Sequence, residues 1–211
     1  MTNQKPEVIG LLGVRGSGKT FTRNKILNDK NTESVCAHAA ALDFKDGLFE
    51  MVEDLLGFPV PTDEKEYDNF KSSVIGLHKG FVNRLISSFV DTATRDALTG
   101  RKVLQRVGTD MIRSRMPNYW VDIFVRKARN YVITQRLSVI CADVRFPNEV
   151  RALINMADVA VPKFTFCDYR SPRYDATDTH PSEALAQTLL KMGFKDGQEI
   201  PMSVMLEVAG G

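Results

Sequence analysis

Between an apolar run and a helical pattern lies the segment Gly13-Val14-Arg15-Gly16-Ser17-Gly18-Lys19-Thr20, which fits G-x-x-x-x-G-K-[ST] at every fixed position. The run Val8-Ile9-Gly10-Leu11-Leu12 predicts a buried strand before the segment, and Thr20–Leu27 predicts a helix after it. Glycines let the backbone turn tightly, so that successive N–H groups point at phosphate oxygens, and the positive end of the helix dipole faces the same place. The segment therefore predicts a phosphate-binding loop, which we call the phosphate loop (residues 13–20); the alternative is a glycine-rich turn with a solvated lysine.

All eight residues of the phosphate loop are expected to line a nucleoside triphosphate. Lys19 can reach the β- and γ-phosphates, and the Thr20 hydroxyl can ligate Mg²⁺. The loop by itself does not distinguish a kinase from a GTPase or a motor.

The remaining pattern alternates strands and helices. Apolar rather than alternating strands predict an α/β fold with a mostly parallel sheet that helices cover on both faces. Strands are predicted at 34–41, 137–142, 159–166 and 203–208, and helices at 44–56, 63–98, 103–113, 117–131, 148–156 and 181–192.

Composition describes an ordinary globular chain. Its 211 residues are 43% hydrophobic and 26% charged, and Lys+Arg 28 against Asp+Glu 26 gives a net charge of +2. This balance argues against direct nucleic-acid binding, which usually shows a basic excess. No apolar run approaches a membrane span, and the three cysteines form no paired motif, so we expect reduced thiols, no membrane association and a cytoplasmic location.

A second phosphate-linked feature follows the strand predicted at 137–142. Asp143 stands at the strand's carboxyl end, where a carboxylate can hold Mg²⁺, and Arg145 two residues later would then lie beside the triphosphate. The alternatives are that Asp143 caps a turn and that Glu149 only complements the dipole of the next helix, which Asn148 is expected to cap.

Two further groups of arginines are candidates. Arg101, Gln105 and Gly108 fall along one helical stripe; Gln105 could contact a base edge, and Arg101 and Arg113 could grip a phosphate. An exposed charged face over a core of Leu104 and Val107 fits the same pattern, and Trp120 is expected in the core. Arg170 and Arg173 sit in a polar segment that could close over donor phosphates or remain solvated, and His180 is expected to cap or pack against a helix.

Taken together, these blocks resemble the phage-type deoxynucleoside monophosphate kinases, which belong to the P-loop nucleoside monophosphate kinases. The resemblance covers about residues 8–183. Besides the phosphate loop it rests on Ala41-Leu42-Asp43-Phe44-Lys45, Arg101-x-x-Leu104-Gln105-x-x-Gly108-Thr109-Asp110-x-x-Arg113, Trp120, Asp143-Val144-Arg145-Phe146-Pro147-Asn148-Glu149 and His180-Pro181-Ser182-Glu183.

The resemblance implies a P-loop NTPase-type fold in a single domain over residues 1–211. Its core would be about 1–42 and 136–211, with a helical monophosphate-binding insertion at about 43–135 and a lid at about 168–180. The implied acceptor-binding residues are Lys45, Arg101, Gln105, Thr109, Arg113 and Arg145. The implied catalytic residues are Lys19, Arg15, Arg145 and Asp143, with Thr20 and Asp143 on Mg²⁺ and with Arg170 and Arg173 on the donor.

The function expected on this basis is phosphoryl transfer from ATP to a deoxynucleoside monophosphate, in the host cytoplasm if the chain is phage-encoded. The acceptor oxygen is already anionic near neutral pH, so catalysis needs positioning and charge neutralisation rather than a strong base. Two alternatives stay open: a P-loop kinase for another small nucleoside or metabolite, and a nucleic-acid-associated NTPase. A homodimer also stays open as the assembly.

Overall fold

A computed structural model describes residues 5–28, 38–73, 99–170 and 181–210. The chain divides into two compact units, Met1–Phe44 with Val121–Gly211, and Lys45–Trp120. The regular elements in chain order are β1 (Glu7–Leu12), α1 (Lys19–Leu27), β2 (Ala39–Ala41), α2 (Asp46–Leu56), α3 (Glu64–Ser72), α4 (Gly100–Gln105), α5 (Tyr119–Arg129), β3 (Ser138–Cys141), α6 (Pro147–Ile154), β4 (Val161–Phe166), α7 (Ala184–Lys191) and α8 (Met202–Val208).

The four strands form one all-parallel sheet in the order β2-β3-β1-β4. Strand β1 lies inside the sheet and pairs with β3 through Val8↔Val139 and with β4 from Glu7↔Val161 to Leu12↔Phe166. Parallel strands need crossover connections, and these put helices on the faces of the sheet. The predicted α/β fold with a mostly parallel sheet flanked by helices is confirmed.

Successive residues of β1 enter different apolar clusters. Val8 and Leu12 join the large cluster that also holds Phe124 of α5. Ile9 and Leu11 join a second cluster, against which Ile26 and Leu27 of α1 pack. Because neighbouring side chains of a strand point to opposite faces, apolar residues at every position need cover on both sides. This explains why the strand reads as a continuous apolar run.

The second unit, Lys45–Trp120, has its own apolar cluster. Val52 of α2, Phe70 of α3, and Val103, Leu104 and Val107 are buried there. Helices α3 and α4 approach closely at Gly100, where an added Cβ would lie 2.3 Å from the backbone oxygen of Phe70. The core positions of Leu104 and Val107 agree with the amphipathic interpretation of this region.

Two helices continue into π-helical segments. The helix predicted at 103–113 begins earlier, as α4 at Gly100, and becomes π-helical over Arg106–Arg113. Helix α5 likewise ends in a π-helical segment, Asn130–Thr134. A π turn offsets the residues beyond it, so Gly108 is buried whereas Arg101 and Gln105 are exposed. The predicted single stripe of Arg101, Gln105 and Gly108 is therefore wrong.

The predicted strand at 203–208 is also wrong, because these residues form helix α8. The chain enters this helix at Pro201, whose fixed φ suits a helix start. Met205 and Ala209 are buried whereas Glu207 between them is exposed, which fits one turn of a helix and not the alternation of a strand. A short apolar segment does not by itself distinguish the two structures.

Parts of two other predicted elements lie outside the described residues. The strand predicted at 34–41 is described as β2, Ala39–Ala41, and the helix predicted at 63–98 is described as α3, Glu64–Ser72. Among the helices that are described, none combines the length and apolar character needed to cross a lipid bilayer.

Candidate functional site

The phosphate loop connects the carboxyl end of β1 to the amino end of α1. Gly13, Gly16 and Gly18 have φ values of 155°, 75° and 77°, in the region that favours glycine. At Gly13 an added Cβ would lie 2.2 Å from the backbone oxygen of Cys167 and 2.3 Å from Ser17 Oγ. The first fixed glycine of the pattern is therefore required both by its backbone conformation and by lack of space.

The Lys19 side chain folds back over the loop that precedes it. Its Nζ donates hydrogen bonds to the backbone oxygens of Gly13 and Val14, the latter at 2.9 Å, and lies 3.5 Å from Oγ of the fully buried Ser17. Burial lowers the Lys19 pKa to about 8, and the nearby Arg145 guanidinium lowers it further. The Lys19 side chain held in the loop is therefore mostly charged at neutral pH and loses its charge as the pH rises above about 8.

Two carboxylates oppose this lowering of the Lys19 pKa. They are Glu183, which has the larger effect, and Asp143. Electrostatic coupling of this kind falls off with distance, so these groups share the surroundings of Lys19. The loop lysine, the carboxylate after β3 and the arginine two residues later, all singled out from sequence, are therefore brought together in one unit.

Arg145 is held by an ion pair. Its guanidinium donates to Glu183 Oε1 at 2.7 Å and to Ser182 Oγ at 3.3 Å. Glu183 is nearly fully buried, whereas the Arg145 side chain keeps 40% of its surface exposed. The buried carboxylate fixes the guanidinium near Lys19 while leaving part of it accessible.

Glu149 fixes the backbone of the same loop. Its Oε2 accepts hydrogen bonds from the backbone N–H of Arg145 at 2.8 Å and of Phe146 at 3.0 Å. Helix α6 begins at Pro147, so the Glu149 carboxylate caps the first turn and Asn148 already lies inside the helix. The N-cap residue is Phe146 and not Asn148, whose Oδ1 accepts from the backbone N–H of Glu149 at 3.1 Å, and Glu149 does more than complement the helix dipole.

Asp143, Asp43 and Cys141 place one ligand atom each within 4.8 Å of one another. Asp143 Oδ1 accepts from the backbone N–H of Phe44 at 2.9 Å and lies 3.2 Å from Cys141 Sγ. Burial raises the pKa of the Cys141 thiol well above its usual range, so the thiol stays protonated and is a poor metal ligand.

Asp43 has a structural role in this cluster. Its carboxylate accepts hydrogen bonds from Arg23 of α1 and from the backbone N–H of Ala142, both at 2.7 Å. These bonds connect α1 with the carboxyl ends of β2 and β3. Asp143, which follows β3, is the member of the cluster that the sequence singled out as a candidate Mg²⁺ ligand.

The candidate acceptor-binding residues other than Arg145 all belong to the unit Lys45–Trp120. Arg101, Gln105 and Thr109 are exposed, and Lys45 and Arg113 are half-buried. Lys45 Nζ lies 5.8 Å from the centroid of the Phe49 ring. The three exposed residues are accessible to a ligand.

Trp120 is a core residue, as predicted. Its side chain is 2% exposed, and its indole N–H donates to the backbone oxygen of Gly108 at 3.0 Å. This bond satisfies a backbone carbonyl in the π-helical segment, which explains a buried tryptophan here.

Of the remaining predicted donor-site residues, Arg15 and Thr20 are exposed on the phosphate loop. Arg170 is also exposed and lies 3.6 Å from Asp168. Arg173, His180 and most of the predicted lid, 168–180, lie outside the described residues.

Sequence reasoning assigned no role to Glu183, although it belongs to the block His180-Pro181-Ser182-Glu183. Its burial beside Arg145 depends on a contact across 38 residues, which spacing within a motif does not reveal. An aromatic pair formed by Phe21 and Tyr169 was missed for the same reason.

Comparison of the chain with protein-family models finds no match, and comparison with curated proteins finds none either.

Proposed function

We propose that this protein is a P-loop kinase that transfers the γ-phosphoryl group of ATP to a deoxynucleoside monophosphate. The observation that carries the proposal is the grouping of Lys19, Arg145 and Asp143 around a glycine-rich loop between β1 and α1. Ligands of parallel α/β sheets bind beyond the carboxyl ends of the strands, and this group occupies such a position. We also propose a cytoplasmic location, which the three cysteines without a paired motif favour.

The donor's phosphates would be held mainly by charge and by backbone N–H groups. On ATP binding, Lys19 would exchange its hydrogen bonds to the Gly13 and Val14 oxygens for phosphate oxygens. Arg145, held by Glu183, would present its exposed part to the transferring group and stabilise the charge that develops there. Arg15 and Arg170, both exposed, would add positive charge.

Mg²⁺ fits the oxygen donors present. A threonine hydroxyl at Thr20 and the Asp143 carboxylate are hard oxygen ligands of the kind that Mg²⁺ prefers, whereas the protonated Cys141 thiol is not. When bound, the ion would neutralise charge on the β- and γ-phosphates.

The acceptor assignment rests on the family resemblance and on the exposure of Arg101, Gln105 and Thr109. Arg101 and Arg113 would bind the monophosphate, Gln105 and Thr109 would contact its nucleoside, and Lys45 would add charge. No general base is required, because the attacking phosphate oxygen is already ionised near neutral pH.

A coupled ADP-release assay tests the proposal across dTMP, dGMP, dCMP, dAMP and the ribonucleotides, with ATP and Mg²⁺. We expect turnover with at least one deoxynucleotide, and loss of turnover without loss of fold in Lys19→Ala. Arg101→Ala should raise the KM for the acceptor at least tenfold while the ATP dissociation constant stays within about twofold.

Activity on none of these acceptors would refute the kinase assignment. An unchanged acceptor dependence in Arg101→Ala would refute the acceptor site alone. ATP hydrolysis that depends on added DNA would favour a nucleic-acid-associated NTPase instead.

A further inference from the structure

Two exposed aromatic side chains stack on each other beside the phosphate loop. The ring centroids of Phe21 and Tyr169 are 5.3 Å apart, and the ring planes are inclined by 21°. Phe21 is 59% exposed and Tyr169 is 54% exposed. Phe21 lies in the first turn of α1, whereas Tyr169 follows β4, so the pair is assembled from two separate segments.

The position of the pair is fixed by the loop itself. Phe21 directly follows Thr20, the last residue of the phosphate loop. Tyr169 packs over Gly18, since a Cβ added at Gly18 would lie 2.9 Å from the Tyr169 Cβ. A nucleotide whose phosphates occupy the loop has its base only one sugar away, which brings the base within reach of these rings.

We propose that the Phe21–Tyr169 pair is a stacking platform for the base of the nucleoside triphosphate held by the phosphate loop. The inference rests on the proposed function, because it requires that the loop bind a nucleotide. Aromatic side chains bind bases through their faces, and half-exposed rings keep a face free for this contact. The platform recognises the nucleobase, whereas the loop recognises the phosphates.

The two contributions are separated by comparing ATP with tripolyphosphate, which has the phosphates but no base. Stacking of a base on an aromatic side chain corresponds to an affinity factor on the order of 5- to 100-fold. We expect Tyr169→Ala and Phe21→Ala to raise the ATP dissociation constant by such a factor, measured by calorimetry with Mg²⁺ and without acceptor. The tripolyphosphate dissociation constant should change by less than about twofold.

Two controls are matched to these variants. Tyr169→Phe keeps the ring and should bind ATP within about twofold of the unmodified protein. Ile133→Ala removes another half-exposed apolar side chain, which precedes β3 at the opposite end of the sheet from the loop, and should change neither constant. A purine triphosphate analogue whose fluorescence is quenched by stacking should be quenched by the unmodified protein and not by Tyr169→Ala.

Three results would overturn the platform. Unchanged ATP affinity in both alanine variants would show that the rings do not contact the base. An equal loss for ATP and tripolyphosphate would show that Tyr169 only shapes the loop at Gly18. Failure of the unmodified protein to bind either ligand would refute the proposed function and the platform together, whereas the first two results leave the proposed function intact.

Discussion

ATP affinity should fall as the pH rises through the pKa of Lys19. The Lys19 pKa is lowered to about 8, first by burial and then by Arg145. Only the protonated side chain attracts a triphosphate, so the apparent dissociation constant is the intrinsic constant divided by the charged fraction. With a pKa of about 8, that fraction falls from about three quarters at about pH 7.5 to about one eleventh at about pH 9, and the dissociation constant should rise about eightfold.

The sign of this effect follows from proton linkage. A bound triphosphate favours the charged lysine and raises its pKa, so binding takes up about half a proton at about pH 8 and close to one proton at about pH 9. Titration calorimetry in two buffers of different ionisation enthalpy measures both the affinity and this uptake. The chosen range lies above the ionisation of a terminal phosphate, so protonation of the ligand does not contribute.

Substitutions of Arg145 and Glu183, which form an ion pair, should shift the pH dependence of ATP affinity in opposite directions. The Arg145 guanidinium lowers the Lys19 pKa and the Glu183 carboxylate raises it. Arg145→Gln should therefore shift the loss of affinity to higher pH, and Glu183→Gln should shift it to lower pH. The quantity to compare is the pH at the midpoint of the loss of ATP affinity, because both variants also change the ATP affinity at every pH.

Lys19→Arg is the matched control, since a guanidinium stays charged across this range and its profile should be flat. A flat profile for the unmodified protein between about pH 7.5 and about pH 9 would refute the assignment of Lys19 as the titrating phosphate ligand. Midpoints that move the same way in Arg145→Gln and Glu183→Gln would refute the electrostatic argument.

Three further predictions concern the stability of the protein and the burial of its cysteines. Gly13→Ala should lower the unfolding free energy by about 3 kcal/mol or more in a denaturant titration, because the new Cβ meets the backbone oxygen of Cys167. The control Gly193→Ala should cost only about 1–2 kcal/mol in the same titration, because Gly193 has a φ of 88° but nothing within 4 Å of an added Cβ. Phe124→Ala should cost about 3–5 kcal/mol, because the ring is 1% exposed and stacks on Phe44 at 4.1 Å; a smaller loss would contradict its place in the core. In a Cys36→Ala variant, Cys141 and Cys167 should react with a thiol reagent only on unfolding, since burial raises both pKa values, that of Cys167 to about 11; rapid labelling of the folded protein would contradict this.

The parts of the fold that sequence predicts well are those in which local pattern and tertiary burial agree. The apolar run at β1 and the glycines of the phosphate loop specify their structures within about ten residues. The strand predicted at 203–208 is helix α8 instead, because a short apolar segment after Pro201 is compatible with both a strand and a helix. The predicted stripe of Arg101, Gln105 and Gly108 was wrong for another reason. It assumed 3.6 residues per turn, whereas the π-helical segment Arg106–Arg113 has wider turns.

The residues of the candidate site also fall into those that a local sequence pattern predicts and those that it does not. Lys19, Asp143 and Arg145 follow from motifs whose spacing carries their chemistry. Glu183 and Tyr169 enter the site through contacts with distant residues, Arg145 in one case and Phe21 in the other. Sequence alone marks Lys19, Asp143 and Arg145 as candidate ligands of phosphate and Mg²⁺, but it does not mark the groups that hold them in place, since those packing partners depend on the fold.

The division of the chain into two units bears on how donor and acceptor binding can be separated. The groups assigned to ATP that the structure describes all belong to the unit of Met1–Phe44 with Val121–Gly211, whereas all the acceptor candidates except Arg145 belong to Lys45–Trp120. The apolar clusters of the unit that holds the phosphate loop are separate from the cluster of Lys45–Trp120, and Arg101 and Gln105 are exposed, so we expect substitutions at these two residues to leave the packing around the phosphate loop unchanged. We therefore expect substitutions at Arg101 or Gln105 to change acceptor specificity and to leave ATP affinity intact, whereas substitution of Arg145, an acceptor candidate that lies beside Lys19, should affect both substrates.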